Sequence, residues 1–292
     1  MPELEVARLS GRRVRVRHEG READPLVVYF HGSPSSRLDL AFARGCNERL
    51  GVHVAAFDRP GYGGSDYHRF ALASVADDAV AVASALGYES FAVLGFSAGS
   101  ASAVATAALN AERVSALGIA GGAAPFPDVP EEFATLGDGE RRALELAEDD
   151  EDEAARLFAE PDRVFVDVLA GNDAAVIAFW RSVSLPADRR LLADAEFAAI
   201  ITATHRESLR QGQLGWARDN VVRMPRWKVD LSTIKAPAWF WYGEQDAVGN
   251  GAWLKTQIPQ GQLVVLPGHG HFSVLYQEWD TVVTILVRGD RT

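Results

Sequence analysis

The sequence predicts an α/β fold in which a mostly parallel central sheet is flanked by helices and carries a helical cap inserted late in the core. Short, almost continuously apolar runs alternate with helical patterns up to about residue 125, as is typical of parallel strands that are buried on both faces. From about residue 126 to 229 the pattern is helical, and the strand rhythm then returns. We therefore expect a core over residues 1–125 and 230–292, with the cap over residues 126–229.

Six apolar runs are the candidate strands of this core. They cover residues 25–32, 52–58, 90–97, 114–122, 237–246 and 261–270. Helical spacing predicts helices near residues 37–50 and 73–87, and a final helix over about 273–288. Because alternating strands and helices imply right-handed crossovers and a parallel sheet, ligands are expected beyond the carboxyl ends of the strands.

Composition and charge limit the classes of partner. The chain of 292 residues carries 40 acidic and 29 basic side chains, a net charge of −11. Nucleic acids and anionic membranes are therefore not expected as partners, since both favour clustered Lys and Arg. Cys46 is the only cysteine, so no internal disulfide or thiolate metal cluster is expected. Neither a signal segment nor an apolar run of membrane-spanning length is recognisable, which predicts a cytoplasmic protein. The expected partner is a small-molecule substrate. The oligomeric state is left open.

One serine stands between two glycines where a predicted strand meets a predicted helix. The segment reads Gly95-Phe96-Ser97-Ala98-Gly99. A nucleophilic serine requires this context, because a tight, strained turn lifts its Oγ clear of the sheet and flanking glycines avoid clashes in that turn. The alternative is a glycine-rich turn without chemistry. A serine hydroxyl is a weak nucleophile until a base removes its proton, so a histidine and a group that orients it are also needed.

Seven histidines are candidates for that base. Those that follow predicted strands are His31, His269 and His271. The others lie in ordinary surface or core contexts and are interpreted as structural: His18, His53, His68 and His205.

The late segments resemble those of the α/β-hydrolase family. Members close their core with a strand that ends in Gly-His-hydrophobic, and GHF at residues 270–272 fits this, so the resemblance implies His271 as the base, with His269 as the alternative. The segment WYGEQDAVG is similar to the family's Gly-Glu-x-Asp segment, which implies Asp246 as the acid. The chain order Ser97, Asp246, His271 is the order that this family uses.

Two other acidic residues are weighed against Asp246. Glu244 is interpreted as a structural hydrogen-bonding partner. Some family members carry the acid after an earlier strand, and Asp128 is the candidate of that kind. The assigned acid would hold the imidazole in the correct tautomer and stabilise its protonated form.

The segment FHGSPSSR resembles the family's His-Gly-x-Pro oxyanion loop. The resemblance implies that the backbone N–H groups of Ser33 and Ala98 form the oxyanion hole. Gly32 would let the backbone approach closely, Pro34 would stiffen the loop, and His31 would brace it. A further segment, DRPGYGGSD, resembles the family's Asp-x-x-Gly-x-Gly-x-Ser turn; it lacks the spacing and lysine of a phosphate loop and is interpreted as structural.

Large apolar side chains in the predicted cap are expected to divide between its own packing and a largely apolar pocket. They are Phe133, Phe158, Phe165, Phe179, Trp180, Trp216 and Met224. The candidate substrate-binding residues are Gly32, Phe96, Trp180 and Trp216. The acidic run EDDEDE at residues 148–153 is interpreted as the solvated start of a helix.

Together these features predict a serine hydrolase that cleaves a small to medium carboxylic ester, thioester or lactone through an acyl-enzyme on Ser97, without cofactor or metal. Haloalkane dehalogenases and epoxide hydrolases use an Asp nucleophile, whereas this chain has Ser97, so neither class of enzyme is favoured. A proline-type aminopeptidase, with Glu131 and Glu132 as candidates for binding the amine, a C–C bond hydrolase and a cofactor-free lyase remain alternatives. So do a receptor with a vestigial triad and a metal enzyme that uses His269, His271 and Asp246 as ligands.

Overall fold

An eight-stranded sheet forms the centre of the computed structural model, which describes residues 1–160, 167 and 171–289. The strands are β1 Glu3–Ala7, β2 Arg13–Glu19, β3 Leu26–Phe30, β4 His53–Phe57, β5 Phe91–Phe96, β6 Val114–Ala120, β7 Ala238–Gly243 and β8 Gln262–Leu266. Their order is β1-β2-β4-β3-β5-β6-β7-β8. β2 is antiparallel to both neighbours, and every pairing from β4 to β8 is parallel. The predicted α/β fold with a mostly parallel sheet is confirmed.

The six predicted strands correspond to β3–β8, whereas β1 and β2 were not predicted. In β2 the buried valines Val14 and Val16 alternate with charged residues that remain partly or fully exposed. Such period-two strands are half-buried, so they lack the continuous apolar run by which the six central strands were recognised. The N-terminal edge of the sheet was therefore missed.

Helices cover both faces of the sheet. In the described residues they are α1 Cys46–Leu50, α2 Leu72–Ala85, α3 Gly99–Leu109, α4 Pro130–Thr135, α5 Asp138–Leu146, α6 Glu151–Ala159, α7 Asp173–Val183, α8 Pro186–Leu191, α9 Ala195–Ser208, α10 Leu214–Arg223, α11 Val248–Gln257, α12 Ser273–Tyr276 and α13 Trp279–Arg288. Short 3₁₀ helices cover Arg37–Ala43, Phe126–Asp128 and Leu231–Thr233.

Two of the predicted helices are each divided in the structure. The helix expected near residues 37–50 is a 3₁₀ helix followed by α1, because Gly45 takes a left-handed conformation between them (φ 79°). The helix expected over 273–288 consists of α12 and α13, which are separated by two residues.

Side chains of β3 show why the central strands read as continuous apolar runs. Val28 and Phe30 pack into a cluster with residues of α2 and α3, whereas Val27 and Tyr29 pack into a second cluster with residues of α13. Because successive side chains of a strand point to opposite faces, a sheet covered by helices on both sides requires apolar residues at every position.

In the described residues 126–160 and 171–229, between β6 and β7, the regular elements are helices, joined by turns and short loops. Helices α5, α6 and α10 share a small apolar cluster that includes Phe158, Val221 and Met224. The acidic run lies at the start of α6, where the Asp150 side chain accepts a hydrogen bond of 3.1 Å from the Glu153 amide. The boundaries of the cap at residues 126 and 229 stay a prediction. Among the described helices, none has the length and apolar character that a membrane span requires.

Candidate active site

Ser97 lies in a strained turn between β5 and α3. Its φ of 52° is the one positive value at a non-glycine residue in the described part of the chain. The Ser97 amide donates to the Ala120 carbonyl oxygen at 3.0 Å, which fixes the turn against β6. A Cβ on Gly99 would lie 2.2 Å from the Phe30 carbonyl oxygen, and one on Gly95 would lie 2.8 Å from backbone of α3. Both glycines of the motif are therefore required sterically.

The structure brings Ser97, His271 and Asp246 into one hydrogen-bonded chain. His271 Nε2 lies 3.0 Å from Ser97 Oγ, and His271 Nδ1 lies 3.0 Å from Asp246 Oδ2. The His271 side chain is 32% exposed and the Asp246 side chain 11% exposed, so the imidazole is accessible while its partner is mostly buried. Gly121 packs closely against Asp246, because a Cβ on this glycine would lie 3.0 Å from Asp246 Oδ2.

The two ionisable groups shift each other's pKa in opposite directions. Burial acts to lower the pKa of His271, but the Asp246 carboxylate acts in the other direction and the pKa is raised overall. Burial acts to raise the pKa of Asp246, yet its interactions with His271 and with the Ala247 amide, 2.8 Å away, lower it overall. Asp246 is therefore ionised, and it favours the protonated form of the imidazole that results when a base accepts a proton.

The alternative residues lie elsewhere. His269 Nε2 is 3.6 Å from Glu278 Oε1, so His269 and His271 face different partners. Asp128 pairs with Arg226 at 2.7 Å. No group of three or more His, Cys, Asp or Glu side chains in residues 1–160, 167 and 171–289 is arranged to hold a metal ion.

Gly32 and Ser33 pass close to the candidate nucleophile. A Cβ on Gly32 would lie 3.3 Å from the Phe96 ring and 3.5 Å from Ser97 Cβ, so the backbone approaches the serine closely. Among the described residues, no acceptor is hydrogen-bonded to the amide of Ser33 or Ala98. Both predicted oxyanion donors thus remain available to a ligand.

A buried network of hydrogen bonds and one ion pair fixes the loop that contains Gly32 and Ser33. Arg59 donates to the carbonyl oxygens of residues 31–32 and pairs with Asp219 of α10 at 2.8 Å. Tyr62 donates to Asp219 at 3.0 Å and lies 2.8 Å from Ser33 Oγ. The sequence analysis interpreted the turn that contains Arg59 as structural and did not find Asp219, because the two residues are 160 positions apart.

Three cavities are lined by residues of the candidate site, and one of them includes Ser97 in its wall. The large cavity has a volume of about 410 Å³ and is lined by Ser33, Pro34, Glu132, Trp216 and Met224 among others. The side cavity, about 340 Å³, includes Trp180, Asp246 and His271 in its wall. The nucleophile cavity, about 30 Å³, includes Gly32, Phe96 and Ser97. Each of the four candidate substrate-binding residues thus lines one of the three cavities.

The remaining apolar side chains of the predicted cap divide as follows. Phe179 lines the large cavity together with Met224, whereas Phe158 packs inside the apolar cluster of α5, α6 and α10. Phe133 is 38% exposed and lies under the guanidinium of Arg141. Phe165 lies outside the described residues.

Comparison with known families decides the affiliation of the chain. A family model described as alpha/beta hydrolase fold matches residues 25–277. The chain belongs to the α/β-hydrolase fold family. Among curated proteins, none matches this α/β-hydrolase.

Solved structures of other α/β-hydrolases superpose over nearly the whole chain. A carboxylesterase of Nitrososphaera gargenis is 19% identical, with a TM-score of 0.67 and 99% of this chain and 100% of that chain covered. A putative aryl esterase from Burkholderia cenocepacia is 18% identical, with a TM-score of 0.70 and 98% of both chains covered. Epoxide Hydrolase A from Mycobacterium thermoresistibile is 21% identical, with a TM-score of 0.69 and coverage of 99% and 98%. At these identities the likeness establishes the fold.

Proposed function

We propose that the protein is a cytoplasmic serine hydrolase that cleaves a carboxylic ester, thioester or lactone of a small to medium, largely apolar substrate. The observation that carries the proposal is the chain of hydrogen bonds from Ser97 Oγ through His271 to Asp246, with the serine held on a strained turn. An exposed serine, a base and an acid that orients the base are the groups that acyl transfer requires.

The reaction follows from this arrangement. His271 Nε2 takes the proton of Ser97 as Oγ attacks the carbonyl carbon, and the resulting oxyanion accepts hydrogen bonds from the Ser33 and Ala98 amides. Asp246 stabilises the imidazolium. His271 then protonates the leaving group, activates a water molecule and releases the acid with regeneration of the serine. These steps use groups of the chain and water.

Serine chemistry distinguishes this proposal from the reactions of some relatives. The chain resembles an epoxide hydrolase as closely as it resembles an aryl esterase in fold. Position 97 is serine, however, and a serine nucleophile can form an acyl-enzyme with an ester. The site therefore favours the esterase reaction.

A fluorophosphonate probe followed by intact-mass measurement tests the proposal, because the probe reacts with activated serines. We expect one label on the wild type and none on Ser97→Ala. Ser102→Ala is the matched control, since Ser102 is a buried serine of α3 outside the hydrogen-bonded chain, and it should be labelled like the wild type. Equal labelling of Ser97→Ala, or no labelling of folded wild type, would contradict the proposal.

Glu132 supports aminopeptidase activity as a second candidate. It is half-buried in the wall of the large cavity, burial raises its pKa, and it accepts a hydrogen bond of 3.1 Å from Asn250. Glu131 is exposed and does not line that wall. Hydrolysis of prolyl and alanyl amides of 7-amino-4-methylcoumarin measures this activity, and Glu132→Gln should raise KM for them if the carboxylate binds the amine.

A further inference from the structure

The nucleophile cavity is small, and polar as well as apolar side chains line it. Its volume of about 30 Å³ is larger than the roughly 10–15 Å³ that one water molecule needs, so a group of a few atoms fits, but it is far smaller than the about 410 Å³ of the large cavity. Ser97 and His271 form one part of its wall, and Asp39, His205 and Tyr276 form another. The reaction proposed above uses none of the last three residues.

Asp39 supplies carboxylate oxygens to this wall. The side chain is fully buried, and it accepts hydrogen bonds from Tyr29 at 2.6 Å and from Tyr276 at 2.8 Å. No Lys or Arg in the described part of the chain pairs with it. A carboxylate has about four acceptor sites, so two remain after the tyrosines are counted. Burial raises the pKa of Asp39 to about 6, although the tyrosines act to lower it, and the group is therefore mainly ionised at pH 8.

His205 supplies a second acceptor. Its Nδ1 donates to the Ile201 carbonyl oxygen, which assigns the lone pair to Nε2. Burial lowers the pKa of His205 to about 4, so the ring is neutral. No described residue hydrogen-bonds Nε2. The sequence analysis interpreted His205 as structural, whereas the structure places it in the wall of the nucleophile cavity.

The two ends of an ester need different surroundings. The acyl group stays bound to Ser97 while the leaving group departs and water enters. A closed cavity suits the part that stays, and a large, more open cavity suits the part that exchanges. The nucleophile cavity includes Ser97 itself, whereas the large cavity is reached past Ser33 and Pro34, which line both.

We propose that the nucleophile cavity is the acyl subsite and selects a short acyl group with a hydroxyl on the carbon next to the carbonyl. Asp39 or His205 accepts the one hydrogen bond that this hydroxyl donates. An apolar acyl group of the same size donates no hydrogen bond to either buried acceptor. A longer acyl chain does not fit. This inference rests on the proposed function and specifies its substrate class.

Ethyl glycolate and ethyl propionate form the decisive pair, because they differ by a hydroxyl in place of a methyl group. Acid release is followed in a pH-stat at pH 8, and each kcat/KM is divided by the rate of hydroxide-catalysed hydrolysis to correct for intrinsic reactivity. We expect the corrected value for glycolate to exceed that for propionate by about tenfold or more. Ethyl octanoate should fall below propionate by about tenfold or more.

Variants assign the selectivity to the two acceptors. Of Asp39→Asn and His205→Phe, the variant that removes the acceptor of the hydroxyl hydrogen should reduce the glycolate-to-propionate ratio by about tenfold. Because there are two variants, the test stays valid if one of them fails to fold. Asp78→Asn is the matched control: Asp78 is also a buried carboxylate, but it pairs with Arg12 away from the cavity, and the ratio should not change.

Two results would overturn the inference. One is a corrected wild-type ratio of one or less, and the other is a ratio that neither variant changes. Fluorophosphonate labelling separates this failure from failure of the proposed function. A labelled Ser97 without selectivity rejects the acyl subsite alone, whereas an unlabelled Ser97 without ester hydrolysis rejects both.

Discussion

Arg59 and Asp219 form an ion pair of 2.8 Å although 160 positions separate them in the chain, and both side chains are almost completely buried. The same guanidinium donates to the carbonyl oxygens of residues 31–32, immediately before the Ser33 amide. Helix α10 thus helps to fix the loop from which we propose that one oxyanion donor comes.

Asp219→Asn tests this positioning role. The variant removes the charge that holds Arg59, so the loop should lose its fixed position and the Ser33 amide its alignment. We expect kcat for ester hydrolysis to fall by about tenfold to hundredfold with a small change in KM, because the amide acts on the transition state. A buried pair that loses one partner also destabilises the fold, here by up to about 3 kcal/mol of unfolding free energy.

A half-exposed ion pair provides the comparison. Asp128 pairs with Arg226 at 2.7 Å, but the Arg226 side chain is 64% exposed. Asp128→Asn should change the unfolding free energy by less than about 1 kcal/mol and leave kcat as it is. Steady-state kinetics and urea unfolding of both variants give the answer. An Asp219→Asn enzyme with wild-type kcat would refute the positioning role.

The pH dependence of activity should report the partnership of His271 and Asp246. Only neutral His271 accepts the serine proton, and Asp246 raises the pKa of the imidazole. The kcat/KM of the wild type should therefore rise with pH about a midpoint above 6.5, the ordinary value for histidine. In Asp246→Asn the midpoint should shift downwards and kcat should fall by about 10³ to 10⁴. A midpoint that does not move would show that Asp246 is not the partner.

The same pair should contribute to stability within a defined pH range. The raised pKa of His271 gives a contribution that is complete below 6.5 and is lost as pH rises through the folded-state value. The lowered pKa of Asp246 gives one that is complete above 3.8 and is lost as pH falls through its folded-state value. The difference in unfolding free energy between wild type and Asp246→Asn should thus be larger at pH 5 than at pH 9. Urea titrations at both pH values measure it, and an equal difference would contradict the pairing.

Gly99 should not tolerate a methyl group. A Cβ there would lie 2.2 Å from the Phe30 carbonyl oxygen, and backbone on that side cannot move without displacing β3. Gly99→Ala should lower the unfolding free energy by about 3 kcal/mol or more and abolish labelling of Ser97. Gly137→Ala is the control, since its nearest contact would be Glu140 Oε2 at 3.6 Å. Thermal unfolding should distinguish the two, and equal melting temperatures would contradict the steric argument.

Trp216 should affect the leaving group more than the chemistry. It is buried in the wall of the large cavity, away from the nucleophile cavity. Trp216→Ala should raise KM for esters of bulky aromatic alcohols by about tenfold, with a smaller effect on ethyl esters of the same acid. Kinetics with paired naphthyl and ethyl esters measure the difference. An equal rise for both alcohols would indicate a general structural defect.

Local features made much of the fold predictable. The strands β3–β8 are recognisable because burial on both faces leaves an uninterrupted apolar run. The edge strand β2 was missed because only alternate side chains, Val14 and Val16, are buried. Gly45 divides a predicted helix, since its φ of 79° is accessible to glycine at little cost while the flanking residues keep helical spacing.

What the sequence by itself determined is the position of Ser97 on a turn between strand and helix, whereas the resemblance to the α/β-hydrolase family implied Asp246 and His271 as its partners. These features are local. The turn depends on a steric requirement for two glycines, and Asp246 and His271 each lie in a short segment that follows a strand, β7 and β8 respectively. The hydrogen bonds that join the three residues, and the cavity walls formed by Asp39, His205 and Tyr276, exist only in the folded chain. Their members come from distant segments whose spacing in sequence carries no periodic signal. Tertiary packing also decided that Arg59 meets Asp219, because a buried charge is stable only where folding supplies its partner.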